Sequence, residues 1–247
     1  MNFVVLADKR TGSSFFMETL NSHPELVCYD ELYMIRGATK SGKRRGQYLY
    51  RYMKNTKNMS MDQYLDFIYN DGKKNISKSF RLMYPQNDYW KVLPLIKERN
   101  IPVIHLVRNN LLKVVMSKRT KGIFVPKKMY YDPNMIIKDI NNHRNKQVQN
   151  RKHLKGYKNI LNVSYEDMIG RSEGEKGETK KFGAFNLKSN MITYLAEETS
   201  KKVCDFLKVE QKEMFCNVTK KNSNNVWDYI ENVDEIKNAL KQNKFEF

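Results

Sequence analysis

Residues 3–20 read FVVLADKRTGSSFFMETL. Phe3 to Ala7 form a short apolar, β-rich run, and from residue 13 to about 21 Phe15, Phe16 and Leu20 recur at helical spacing, so the chain opens strand, tight turn, helix. Between the two elements stand Arg10, Thr11, Gly12, Ser13 and Ser14. Gly12 lets a ligand approach the backbone closely, the serines offer hydroxyl donors and Arg10 offers a charged fork. The exposed amides and positive dipole end of the helix add to these, so the turn is suited to a phosphate or similar anion. Read more plainly, Ser13 caps the helix and Gly12 only makes the turn. The stretch is not a Walker A loop, which needs G-x-x-x-x-G-K followed by Ser or Thr. GATKSGK at 37–43 has that glycine and lysine spacing, but Arg44 follows it and no apolar strand precedes it, so it reads as a basic surface loop.

Outward from that turn, strands and helices alternate. KNISKSFRLMY (74–84) reads as a second strand, 90–98 as a helix with Leu93, Leu95 and Ile96 partly inward, and IPVIHLVR (101–108) as the most strand-like segment. NNLLKVVMSKR resumes helical periodicity, and NILNVSYEDM (159–168) makes a fourth strand. A helix is expected over 61–70, after a polar, basic stretch at 36–58. Residues 170–190, with four glycines, read as a loop, and 191–240 as returning to helix through MITYLAEETSKKVCDFL and VDEIKNALKQ. The expected fold class is α/β: a central parallel sheet with helices on both faces, the anion-binding turn following strand 1, and residues 1–247 forming one domain. In such a sheet the ligand crevice lies at the carboxyl ends of the strands, where the turn stands.

The bulk numbers narrow the partners. Forty-five Lys plus Arg against 27 Asp plus Glu leave a formal charge of +18, which favours an anionic ligand. Cys28, Cys204 and Cys216 are odd in number and widely spaced, which suggests neither a disulfide framework nor a zinc site and fits a reducing compartment. Five apolar residues before Asp8 are too few for a signal-peptide core, and no window approaches the roughly 18 apolar residues of a membrane span. A soluble, cytoplasmic protein is the expectation.

VRNNLLKVVMS places Arg108 at the tip of the best strand and Ser117 nine residues on, near the end of the next helix. Together they can grip a second phosphate; read plainly, they are a surface cation and a helix-surface residue.

With these motifs in place the chain resembles the sulfotransferases that use 3'-phosphoadenosine 5'-phosphosulfate (PAPS), in particular the bacterial and carbohydrate types. RTGSSFFMETLNSHPELVCYDELY resembles their 5'-phosphosulfate loop, helix and acidic segment, and VRNNLLKVVMS their 3'-phosphate motif. FRLMYPQ (80–86) resembles a segment that usually carries lysine where Arg81 stands. VSYEDMI and the C-terminal run from VCDFLKVEQ to NVDEIKNAL resemble the rest, so the likeness touches residues 3–35, 76–117 and 159–240. It implies that Arg10, Thr11, Gly12, Ser13, Ser14 and Phe15 hold the 5'-phosphosulfate, and that Arg108 and Ser117 hold the 3'-phosphate. It places Tyr165 near the adenine and Lys220, with Lys221 as the alternative, over the 3'-phosphate; KKNSNN departs there from the usual lysine-x-asparagine-proline run. No metal is implied, and adenosine 3',5'-bisphosphate (PAP) is the implied product.

Sulfuryl transfer, like phosphoryl transfer, depends chiefly on positioning and on stabilising charge at the leaving oxygens, for which Arg10 and Arg81 are the candidates. Family members carry a glutamate near Asp30-Glu31, which makes Glu31 the expected base and Asp30 its rival. The histidine that phenol and steroid sulfotransferases use after the second strand is missing from SFRLMYP, and His105, inside an apolar strand, reads as a core residue. His23 fits a helix-end turn. Tyr33, Tyr48, Tyr50, Tyr52 and Tyr64 read as an amphipathic helix face or as a stacking surface for a sugar acceptor. The acceptor is a glycan or small molecule bearing a hydroxyl or amine; oligomeric state is open.

Two other function classes fit part of the sequence. A nucleic-acid-binding module fits the charge, but the basic residues are spread along the chain and no helix-turn-helix, RRM-like or zinc signature is present. A nucleotide or small-molecule kinase needs magnesium and a hydroxyl after a P-loop lysine, which the sequence does not supply.

Overall fold

The structure, a computed structural model, describes residues 1–32, 59–70, 76–84, 89–120, 128–174, 180–182, 186–218 and 225–245. β1 (Phe3–Ala7) is buried along its whole length and forms the middle of a five-stranded sheet. On one side it pairs with β3 (Ser77–Met83), which pairs with β2 (Leu26–Tyr29); on the other it pairs with β4 (Val103–Val107), which pairs with β5 (Ile160–Ser164). All four pairings are parallel and the order is β2-β3-β1-β4-β5.

Uninterrupted apolar strands such as FVVLA arise because both faces of a parallel sheet are covered. Alternate residues of β1 divide accordingly. Phe3, Val5 and Ala7 pack with Phe16, Met17 and Leu20 of α1 (Ser13–Leu20) and with Val203, Cys204 and Leu207 of α7 (Glu197–Leu207). Val4 and Leu6 pack with Leu65 and Ile68 of α2 (Met61–Asn70) and with Val92, Leu93 and Ile96 of α3 (Tyr89–Glu98). Burial stabilises each of these large side chains by about 1.5–3 kcal/mol.

A third core lies beyond the sheet. In it α4 (Leu111–Arg119), α5 (Pro133–Leu154), the 3₁₀ turn Val226–Tyr229 and α8 (Val233–Gln242) meet through Leu112, Val115, Ile136, Ile140, Tyr229, Ile236 and Leu240. Asn110 caps α4 by accepting from the Lys113 amide, and Asp132 caps α5 ahead of a proline at its first position.

The parallel sheet with helices on both faces agrees with the sequence reading, and several segments differ from it. The loop expected over 170–190 contains β6 (Ile169–Glu173), β7 (Lys180–Phe182) and the first part of β8 (Asn186–Leu195), and β8 also takes in MITYL, expected to be helical. There Thr193 and Leu195 are buried while Ile192 and Tyr194 are less so, a period of two that selects a strand. β8 pairs antiparallel with β6, β7 and β9 (Phe215–Val218) in a second sheet. The fourth strand ends at Ser164 rather than 168, because the Ser164 hydroxyl accepts from the Asp167 amide and starts the short helix α6 (Tyr165–Met168). No described helix is long and apolar enough to cross a membrane.

Candidate functional site

Because the five strands run parallel, their carboxyl ends share one edge. From β1 the sheet grows one way to β3 and β2 and the other way to β4 and β5, so the direction of winding switches at the end of β1, the place where open α/β sheets hold their ligands. Residues 8–14, 30–31, 81, 108 and 165 stand at this edge.

The loop after β1 is tied by Asp8. Its carboxylate accepts from the Lys9 amide at 2.6 Å, and its carbonyl accepts from the Thr11 hydroxyl at 2.8 Å. Arg10 (φ 68°) and Gly12 (φ 84°) both take the left-handed region. At Gly12 a Cβ would also stand 2.4 Å from Tyr165 Cδ2 and 2.6 Å from Met168 Cε, so conformation and space both demand glycine. Gly12, not Ser13, is the N-cap residue of α1, and it offers no side-chain cap to the first amides. Ser13 is instead the first helical residue.

Two groups of side chains flank this uncapped helix start. In the first, Arg10 donates from Nε (2.9 Å) and Nη2 (2.7 Å) to the Ser117 hydroxyl on α4, and Arg108 Nη1 donates to the Arg10 carbonyl at 3.2 Å. The Arg108 guanidinium lies 4.1 Å above the centre of the Tyr165 ring, and its buried Nε has no hydrogen-bond partner among the described residues. Burial lowers the pKa of both arginines, and at Arg10 the neighbouring Arg108 charge lowers it further. An anion lodged here would offset that cost. The backbone around Arg108 is held from outside: Gln147 donates to its carbonyl at 3.0 Å, and Glu166 accepts from the amides of Asn109 and Asn110 at 3.1 Å each.

In the second, Arg81 Nη1 donates to the hydroxyls of Ser13 and Ser14, both at 3.0 Å. Its Nη2 is paired with the Asp30 carboxylate and stands 3.1 Å from Glu31 Oε1, while the buried Nε has no hydrogen-bond partner among the described residues. The Asp30 side chain is 64% exposed and that of Glu31 16%, so Glu31 is the more sequestered carboxylate.

The structure thus gathers Arg10, Thr11, Gly12, Ser13, Ser14, Glu31, Arg81, Arg108, Ser117 and Tyr165 at one edge, and turns the Arg10 side chain towards Ser117 rather than towards the helix start. Phe15 packs half-buried against the core. Lys220, Lys221, the GATKSGK stretch, Tyr33, Tyr48, Tyr50 and Tyr52 lie outside the described residues. Tyr64 is on α2 and donates to the Leu32 carbonyl at 3.3 Å.

His105 is the core residue it was expected to be: it bonds Tyr84 and, at 3.0 Å, Asn162, and burial pushes its pKa down to about 4, which leaves it neutral near pH 7. His23 occupies the turn after α1, buried, with Nε2 2.9 Å from the Glu210 carbonyl. Unforeseen were Asp8, His143, Gln147 and Glu166. The first two form a buried pair, His143 Nδ1 lying 3.0 Å from Asp8 Oδ2. The Asp-Pro start of the helix that carries His143 was the available signal.

No family model and no curated protein matches the chain. Among solved structures, all of the chain aligns with mouse sulfotransferase SULT7A1 complexed with PAP, at 11% identity and a TM-score of 0.43, spanning 66% of that protein. All of it also aligns with a sulfotransferase from Alicyclobacillus acidocaldarius, at 8% identity and a TM-score of 0.46, spanning 97% of that chain.

Proposed function

We propose that the chain, acting as one domain, is a PAPS-dependent sulfotransferase that delivers the sulfuryl group to a hydroxyl or amine of a glycan or small metabolite. The observation that carries this reading is the convergence of Arg10 and Arg108 on the Ser117 side of an uncapped helix start, with a separate cation, Arg81, on the other side. Two cationic centres in one crevice suit a ligand with an anionic group at each end.

Arg108 and Ser117 receive the 3'-phosphate, with Lys220 or Lys221 as the further cation, and Tyr165 lies beside the adenine. The backbone amides and hydroxyls from Arg10 to Phe15 receive the 5'-phosphosulfate, and the Arg10 side chain, laid against Ser117, stands between the two ends. The orphaned Nε atoms of Arg81 and Arg108 are donors that a bound anion can satisfy. Glu31 takes the proton of the acceptor as its oxygen or nitrogen bonds to sulfur, and the bond from sulfur to the 5'-phosphate oxygen breaks in line. Arg81, already gripping Ser13 and Ser14, stabilises the phosphate left behind.

A thermal shift with PAP tests the binding half: stabilisation at micromolar PAP, where random oligonucleotides give none, is the expected result. Transfer of radiolabelled sulfuryl from PAPS to one member of an acceptor panel, undiminished by EDTA, tests the chemistry. Stabilisation by oligonucleotides but not by PAP overturns the reading in favour of a nucleic-acid binder, and magnesium-dependent phosphoryl transfer from ATP with no sulfuryl transfer from PAPS in favour of a kinase-like enzyme.

A further inference from the structure

One face of α5 meets both loops of the anion crevice. His143 and Gln147 are four residues apart and so lie one above the other on the helix. His143 Nδ1 lies 3.0 Å from Asp8 Oδ2, with side-chain exposures of 8% and 5%; since a carboxylate only accepts, Nδ1 carries the proton. Gln147 Nε2 donates to the Arg108 carbonyl at 3.0 Å. Asp8 in turn ties the first loop through the Lys9 amide and the Thr11 hydroxyl, and that loop holds Arg10 in the left-handed region.

The helix is itself anchored at both ends. Ile136 and Ile140 sit in the core shared with α4, and Leu154 in the core beneath α3. A rigid rod fixed at both ends and bonded in its middle to two loops sets the spacing between them; four residues of helix measure about 6 Å.

We propose that α5 is a brace that fixes the separation of the β1 and β4 loops, with His143 and Gln147 as positioning residues for the doubly phosphorylated nucleotide. The identity of that nucleotide rests on the sulfotransferase reading; the brace itself does not. If the two contacts were only packing, their loss would lower global stability and leave the loops and the ligand affinity alone.

The test uses the full chain as wild type, His143→Leu, His143→Asn and Gln147→Leu, with hydrogen exchange followed by mass spectrometry and PAP titration by calorimetry. Asparagine places an amide donor near the position of the imidazole Nδ1 and so keeps the bond to Asp8. His143→Leu should speed exchange in peptides covering 8–16 and raise the PAP Kd about tenfold or more, His143→Asn should stay within about threefold of wild type, and Gln147→Leu should act on peptides covering 107–112.

The brace is overturned if exchange in these peptides stays at the wild-type level in the leucine variants, or if asparagine does no better than leucine at 143. Should His143→Leu fail to fold, Gln147→Leu, at a half-buried position, decides the question alone. A wild-type chain that ignores PAP refutes the proposed donor, while the exchange comparison still decides the brace.

Discussion

The two arginine centres at the sheet edge are built in opposite ways. Arg81 is neutralised: two carboxylates and two serine hydroxyls surround its guanidinium. Arg10 and Arg108 face a serine hydroxyl, a backbone carbonyl and an aromatic ring, and Glu166, which acts on Arg108 from a distance, spends its oxygens on two backbone amides. Removing two like charges from water without a direct carboxylate partner among the described residues costs stability that a bound dianion restores, so this side is suited to holding an anion. The Arg81 side already has its counter-charge, and its partners must be redistributed whenever a ligand enters. Such a side is suited to a group that changes charge during a reaction, and the proposed function sets Glu31 there as the base.

Substitutions can break or sharpen this contrast. The largest effect is expected from Glu31→Gln, which should slow turnover by about 10²- to 10⁴-fold, the usual contribution of a general base, while PAP affinity stays near wild type. Wild-type kcat in that variant removes Glu31 from the chemistry. Next is Arg108→Ala, with a PAP Kd raised by roughly 100-fold in calorimetry, as expected for loss of charge-assisted hydrogen bonds of about 1.5–3 kcal/mol. Arg10→Ala should cost about tenfold, because Arg108 and Ser117 remain.

Equal losses of PAP affinity in Arg108→Ala and Glu31→Gln would erase the distinction between the two centres. Gly12→Ala should lower stability by about 1–3 kcal/mol in denaturant titrations, through its positive φ and its overlap with Tyr165, and a neutral result would mean that the ring swings away freely. The smallest effect is that of salt. Raising it from low to physiological strength should weaken PAP binding only a few-fold, since partly buried charges are screened little.

Much of this was legible in the sequence because its signals are local. FVVLA needs both faces covered, Gly12 and the serines announce an anion turn, and Arg108 ends an apolar strand. The partners of Arg81 were not legible as partners: Asp30 lies 51 residues away in sequence, and only the pairing of β2 with β3 brings the two together. α5 escaped notice because its buried face includes His143 and Asn150 among Ile136, Ile140 and Leu154, which mutes the apolar period. β2, only four residues long, gives too short an alternation to register. MITYL was misread as helical because five residues admit either period until a neighbouring strand selects one.

The central position of β1 also governs how the chain reaches its fold. Val4 pairs with Phe80 on one side and with Val103 on the other, so during synthesis this apolar segment waits for most of a hundred residues before both of its edges are closed. At about 5–20 residues per second that wait lasts on the order of 5–20 s, during which a naked, uncharged strand is available to any passing chain. Charges that flank an apolar strand disfavour such encounters, and Asp8, Lys9 and Arg10 stand directly after FVVLA, so the loop at the sheet edge also places charge beside the exposed strand.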